Sequence, residues 1–175
     1  MLKRKSFLDC SSDEEDDVQI QPKYQIVVLG PRKVGKTSFI QRIQSDQFTL
    51  QYVPTRGIQI HTNISLGDLF VDMWEIPPDT IDQYTHLSTL TADVIILMFN
   101  SDIEDSLHNG IQVWSSLYAK IYTNKNPEMW LVHTGDAHPQ TTVCHPNRIF
   151  KVNNMSKEGL LDLIYDIRCK LLHKY

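Results

Sequence analysis

Tyr24-Gln25-Ile26-Val27-Val28-Leu29-Gly30-Pro31-Arg32-Lys33-Val34-Gly35-Lys36-Thr37-Ser38-Phe39-Ile40-Gln41-Arg42-Ile43 decides how this chain is read. The residues up to Leu29 form an apolar run of strand length, and those from Ser38 put Phe39, Ile40 and Ile43 on the inner side of a helix. Between them, Gly30 to Thr37 fits G-x-x-x-x-G-K-[ST], whose glycines let backbone N–H groups close around a phosphate. The helix N-terminus adds partial positive charge, Lys36 reaches the terminal phosphates and Thr37 supplies a hydroxyl to Mg²⁺. The candidate phosphate-binding residues are therefore Gly30, Pro31, Arg32, Lys33, Val34, Gly35, Lys36, Thr37 and Ser38. A glycine turn that only caps a helix shares this spelling, but the flanking strand and helix meet the context the motif requires.

A length of 175 residues fits one domain, and 41% hydrophobic with 22% charged residues is an ordinary soluble composition. The apolar run Val94-Ile95-Ile96-Leu97-Met98-Phe99 is far too short to span a membrane, and the basic start of the chain runs into acid instead of a signal-peptide core. Cys10, Cys144 and Cys169 are odd in number and widely spaced, which predicts free thiols in a reducing cytosol. Of the net charge of −4, residues 1–17 carry three basic and six acidic groups, leaving about −1 for the rest. A nearly neutral body gives no electrostatic reason for a nucleic-acid partner. Residues 1–22 read as a disordered acidic tail and 23–175 as the folded domain. Ser11 and Ser12, ahead of acidic residues, suit an acidophilic kinase, although the composition favours a plain solvated arm with no such role.

After the first helix, Ile58 to Leu66 alternates apolar and polar residues, Gly67-Asp68 makes a turn, and Leu69 to Ile76 returns, so an antiparallel hairpin at one side of the sheet is expected. Thr80 to Leu90 reads as a short helix, and Val94 to Phe99 as a central strand covered on both faces. A helix capped by Asp102 or Asp105 runs to about Tyr122, with Leu107, Ile111, Trp114, Leu117 and Ile121 at helical spacing. Met129 to Val132 and Ile149 to Val152 are strands, and a last helix from Ser156 carries Leu160, Ile164, Ile167 and Leu171 on one face. Strands alternating with helices imply an α/β fold with a six-stranded, mostly parallel sheet, one antiparallel edge strand and flanking helices. The ligand crevice then lies at the carboxyl end of the first strand.

Over residues 24 to 173 this order resembles the Ras-like small GTPases, the Rab branch in particular, and thus the P-loop fold of that family. Tyr52-Val53-Pro54-Thr55 looks like the first switch, in which the threonine contacts Mg²⁺ and faces the γ-phosphate. Val71-Asp72-Met73-Trp74-Glu75 looks like the strand entering the second switch, and Phe99 to Leu107 with Trp114 resembles the strand and helix that follow it. The resemblance implies GTP or GDP with Mg²⁺ as ligands, and Thr37, Thr55 and Glu75 at the metal.

Departures from the family pattern have physical consequences. The second switch of the family continues Asp-Thr-Ala-Gly-Gln, whereas the aligned residues here are Glu75-Ile76-Pro77-Pro78-Asp79. Pro78 has no N–H to give the γ-phosphate. Asp79 stands where the family's glutamine orients the attacking water, and it adds charge beside a triphosphate. Glu75 replaces aspartate and would hold a Mg²⁺-bound water on a longer arm. Arg32 adds bulk in the loop. Slow or absent intrinsic hydrolysis follows, with no confident catalytic residue. For base recognition, the family's Asn-Lys-x-Asp corresponds to His133-Thr134-Gly135-Asp136, of which Asp136 alone carries over, as acceptor for the guanine edge. The family's Ser-Ala-Lys would fall on Asn153-Asn154-Met155 or be missing. Gly135 to Arg148, with Pro139 and Pro146, is too short for the usual helix and connections. His133, His138, Cys144 and His145 have no metal-motif spacing.

The expected function is a guanine-nucleotide-binding switch or adaptor in vesicular or ciliary transport or signalling. Its partner, an effector or complex subunit, is expected at the Tyr52–Leu66 region, with the chain a monomer or part of a hetero-complex. The pattern also resembles Rab-like subunits of intraflagellar transport. Leu171 to Tyr175 shows no prenylation cysteine, and Cys169 falls inside the last helix, so a cytoplasmic protein without a direct lipid anchor is expected. The alternatives are an empty pseudo-GTPase scaffold and an ATP-binding nucleoside or nucleotide kinase.

Overall fold

The computed structural model describes residues 24–80, 91–103, 105–112, 127–136 and 148–173. The acidic tail, the helix expected after Thr80, the continuation of the helix through Trp114 to Tyr122, and His138, Cys144 and His145 lie outside the described residues. The strands are β1 (Tyr24–Leu29), β2 (Gln59–Leu66), β3 (Leu69–Glu75), β4 (Val94–Phe99), β5 (Glu128–His133) and β6 (Arg148–Lys151). Helix α1 spans Lys36–Ser45, α2 is described over 106–112, and α3 spans Leu160–Leu172. The sheet order is β2-β3-β1-β4-β5-β6, with β2 antiparallel to β3 and the other pairings parallel. This is the mixed α/β sheet expected from the sequence, with the antiparallel strand at its edge.

Alternate side chains of the central strands feed two cores. Ile26, Val28, Ile96 and Met98 face Phe39 and Ile40 of α1 and Leu160, Leu163 and Ile167 of α3. Val27, Leu29, Ile95, Leu97 and Phe99 face the other way, where Leu107 and Ile111 of α2 pack. Every residue of β4 is buried, as its unbroken apolar run requires. That double burial pins the carboxyl ends of β1 and β4 side by side, which is where the phosphate loop starts. Among the described residues, no helix is long and apolar enough to cross a membrane, and Cys169 is a free thiol.

Two expectations need correction. Strand β2 does not keep its apolar side chains on one face, because the pairing shifts register between His61 and Ile64. Asn63 there adopts φ 57° and its N–H is held by the Asp72 carboxylate at 3.1 Å. One extra residue reverses the facing. Ile64 and Leu66 therefore join the α1 side, Ile58 packs on the α2 side, and Ile60 is left 50% exposed. The last helix begins at Leu160 instead of Ser156. Asn153 Oδ1 accepts the N–H groups of Met155 and Ser156 at 2.9 and 3.0 Å, and Lys157 at φ 67° turns the chain out of helical geometry.

Candidate functional site

The cavity at the carboxyl ends of β1 and β4 holds about 490 Å³, within the usual range for small-molecule sites. Its walls come from the phosphate loop, the segment Phe48 to Thr55, Glu75 with Pro77 and Pro78, and the ends of β4, β5 and β6. Arg32, Lys33, Val34, Gly35, Lys36, Thr37 and Ser38 line it; Gly30 and Pro31 lie behind and act through their carbonyls.

Gly30 is required where it stands. Its φ is 145°, and a Cβ there would sit 2.3 Å from the Met98 carbonyl oxygen, so only glycine lets β1 turn into the loop against β4. Lys36 folds back along the loop and donates to the Gly30 carbonyl at 2.9 Å and the Pro31 carbonyl at 2.7 Å. One ammonium donor is left over, since lysine carries three. Burial lowers the Lys36 pKa from 10.5 to about 8, the Glu75 carboxylate opposes that shift, and the nearby Arg32 charge adds to it. A bound anion would relieve the cost of this buried charge.

Thr37, Thr55 and Glu75, one on α1, one on the loop before β2 and one ending β3, meet in one cluster. Thr37 Oγ1 donates to Glu75 Oε1 at 2.8 Å, with Oε2 at 3.0 Å, and Thr55 Oγ1 donates to Oε1 at 3.1 Å. The two hydroxyls are 3.0 Å apart. These spacings suit neighbouring oxygens around an octahedral Mg²⁺, whose cis ligands lie about 2.9 Å apart for bonds of 2.0–2.1 Å. The donors are hard oxygens, as that ion demands. The residues present thus fit a Mg²⁺-polyphosphate group. Glu75 is 1% exposed and reaches both hydroxyls directly, the longer arm closing the gap.

At the second switch, Pro78–Thr80 forms a short 3₁₀ turn, and the Pro77 carbonyl accepts both the N–H and the hydroxyl of Thr80 at 3.1 and 2.7 Å. The Asp79 carboxylate is paired with Arg32. This pairing was invisible in the sequence, where the two residues are separated by 47 positions.

Asp136 lines the far end of the cavity, its N–H bonded to Asp102 Oδ2 at 3.2 Å. Asn153, Asn154 and Met155 stand on the same wall. The Thr134 hydroxyl donates to the Val34 carbonyl at 2.8 Å, and Asn154 Nδ2 to the Gly35 carbonyl at 3.1 Å, so the segments after β5 and β6 are tied to the phosphate loop. His133 is buried at the end of β5 with Nε2 2.7 Å from Ser101 Oγ, away from the cavity wall. Sequence reasoning missed Phe48, which also lines the cavity with the Arg42 guanidinium 5.4 Å from its ring centroid. The signal was a lone aromatic in the polar stretch after α1. On the loop side, Lys33 Nζ lies 5.9 Å from the Tyr52 ring centroid.

Residues 25–135 match the family described as Ras of Complex, Roc, domain of DAPkinase. The chain is 32% identical over 127 residues to the human Ras-related protein Rab-3A, an alignment covering 68% of this chain and 55% of that protein. It is 28% identical over 157 residues to the mouse GTP-binding protein Rhes, covering 82% of this chain and 56% of that one. The chain therefore spans a little over half the length of these relatives. With the family match running from β1 past β5, on a six-stranded, mostly parallel sheet with one antiparallel edge strand, the chain belongs to the Ras-like small GTPases, in their Rab-like branch.

Proposed function

We propose that this chain binds GTP and GDP with Mg²⁺ and works as a slow-cycling switch or adaptor in intracellular transport or signalling. The observation that carries the reading is the meeting of Thr37, Thr55 and Glu75 oxygens beside buried Lys36 in a single cavity. The loop amides and the spare Lys36 donor bind the phosphates, while Thr37, Thr55 and Glu75 would hold the ion. When bound, Mg²⁺ neutralises phosphate charge. Phe48, backed by Arg42, offers a flat face to a base, and Asp136 accepts the two donors of a guanine edge. A relative named as GTP-binding supports the choice of guanine.

Slow turnover follows from what surrounds the reacting phosphate. Pro78 has no N–H, and Asp79 puts a negative charge beside the third phosphate where the family has a glutamine, so neither of these two described residues orients the attacking water as the family does. The partner surface is the Tyr52–Leu66 region. There β2 ends the sheet, and Tyr52, Val53 and Ile60 are 48%, 69% and 50% exposed, which suits addition of an apolar segment or strand from another protein.

The direct test is to denature the purified protein and separate the released nucleotide by chromatography. Guanine nucleotide is the expected result; adenine nucleotide or none overturns the reading. Single-turnover hydrolysis of loaded GTP should be well below that of an ordinary small GTPase, and an equal rate would contradict the slow cycle.

A further inference from the structure

The two residues that depart most from the family pattern around the terminal phosphate are joined to each other. Arg32 Nη2 on the phosphate loop donates to Asp79 Oδ2 on the 3₁₀ turn. Arg32 also lines the cavity together with Lys36 and Pro78, on the loop whose motif wraps phosphates. Its field reaches the Lys36 ammonium. Proline at position 78 leaves the second switch without the amide that the family uses there. A terminal phosphate and the Asp79 carboxylate are thus rivals for one guanidinium, and the phosphate carries more charge and a geometry suited to a bidentate contact.

We infer that Arg32 distinguishes triphosphate from diphosphate in this protein, and that Asp79 is the competitor it leaves when the third phosphate arrives. With diphosphate, Arg32 stays on Asp79 and ties the Pro78–Thr80 turn to the phosphate loop. With triphosphate, Arg32 turns to the phosphate and the turn is released. The second switch therefore loosens in the triphosphate state, instead of being drawn in by its own backbone. This rests on the nucleotide-binding reading above and adds to it the group that senses nucleotide state.

The test compares affinities for GDP and GTPγS, with Mg²⁺, in nucleotide-stripped wild type, Arg32→Gln, Asp79→Asn and the double variant. Both side chains are more than half exposed, so these changes spare the core. Arg32→Gln should cut the preference for GTPγS over GDP about tenfold, the scale of a lost charge-assisted contact. Asp79→Asn should raise that preference roughly threefold by removing an exposed rival. In the Arg32→Gln background, Asp79→Asn should change nothing. Hydrogen exchange at the amides of Asp79 and Thr80 should be faster with GTPγS than with GDP. The proposal alone is overturned if both nucleotides bind but Arg32→Gln leaves their ratio unchanged, if Asp79→Asn acts equally with and without Arg32, or if exchange slows with GTPγS. Binding of neither nucleotide by wild type removes the parent reading as well.

Discussion

Lys36 is an ammonium buried with two of its donors on the carbonyls of its own loop, and without a bound anion that burial would be a cost. Its pKa falls from 10.5 to about 8, so between those values the unfolded chain binds a proton that the folded chain does not. Stability from this group is then present above 10.5 and lost as the pH falls through about 8. Urea unfolding of nucleotide-free protein across this window should show a rise with pH that is smaller in Lys36→Met by up to about 3 kcal/mol. An equal rise in both proteins would contradict the assignment. Glu75 gives a second prediction. Its carboxylate organises both threonine hydroxyls, so Glu75→Gln should lose roughly tenfold or more of the affinity that Mg²⁺ adds to GDP binding, measured by titration with Mg²⁺ and with EDTA.

The loop from Asn153 to Gly159 shows how an element away from the phosphate motif shapes the site. Asn153 Oδ1 caps two amides, and Arg42 of α1 donates to the carbonyls of Asn154 and Met155 at 2.9 and 3.3 Å. Lys157 reaches Asp46 at the end of α1 at 2.5 Å. Helix α1 thereby carries the phosphate motif at its start and holds the Asn154–Met155 wall of the cavity along its last turns. Replacing Asn153 by Ala should destabilise the fold by about 1–2 kcal/mol and weaken GDP binding several-fold through the displaced Asn154 wall. A denaturation midpoint together with fluorescent-GDP titration measures both. A loss of stability with unaltered GDP affinity would separate the loop from the site.

Across the molecule, the cavity draws walls from both ends of the chain: Lys36 and Thr37 on α1, Thr55, Glu75 on β3, Asp136 after β5 and Asn154 after β6. Ligand binding is therefore a contribution to global stability, because no fragment contains the site. Saturation with GDP and Mg²⁺ at about a hundred times the dissociation constant should add about 2.7 kcal/mol and raise Tm by about 5–10 °C. Differential scanning calorimetry should show the shift with GDP and not with ADP. An equal shift with ADP would remove Asp136 as the base-selecting group.

Residues 24 to 43 and the buried run Val94 to Phe99 were legible as loop and strands without coordinates, because strand, glycine turn and helix follow from short-range pattern and backbone sterics. Lys36 and Thr37 could be named for the same reason, whereas Thr55 was named from the resemblance to the family's first switch. The Ile58–Leu66 alternation was misleading, since a bulge supported by Asp72 from the neighbouring strand reverses which face is buried. The Arg32–Asp79 pair, the Phe48 wall and the Thr134 and Asn154 links to the phosphate loop emerged only from the folded chain. Local spelling settles backbone conformation within a few residues, whereas a charge pair or a cavity wall depends on where the sheet order brings distant segments together.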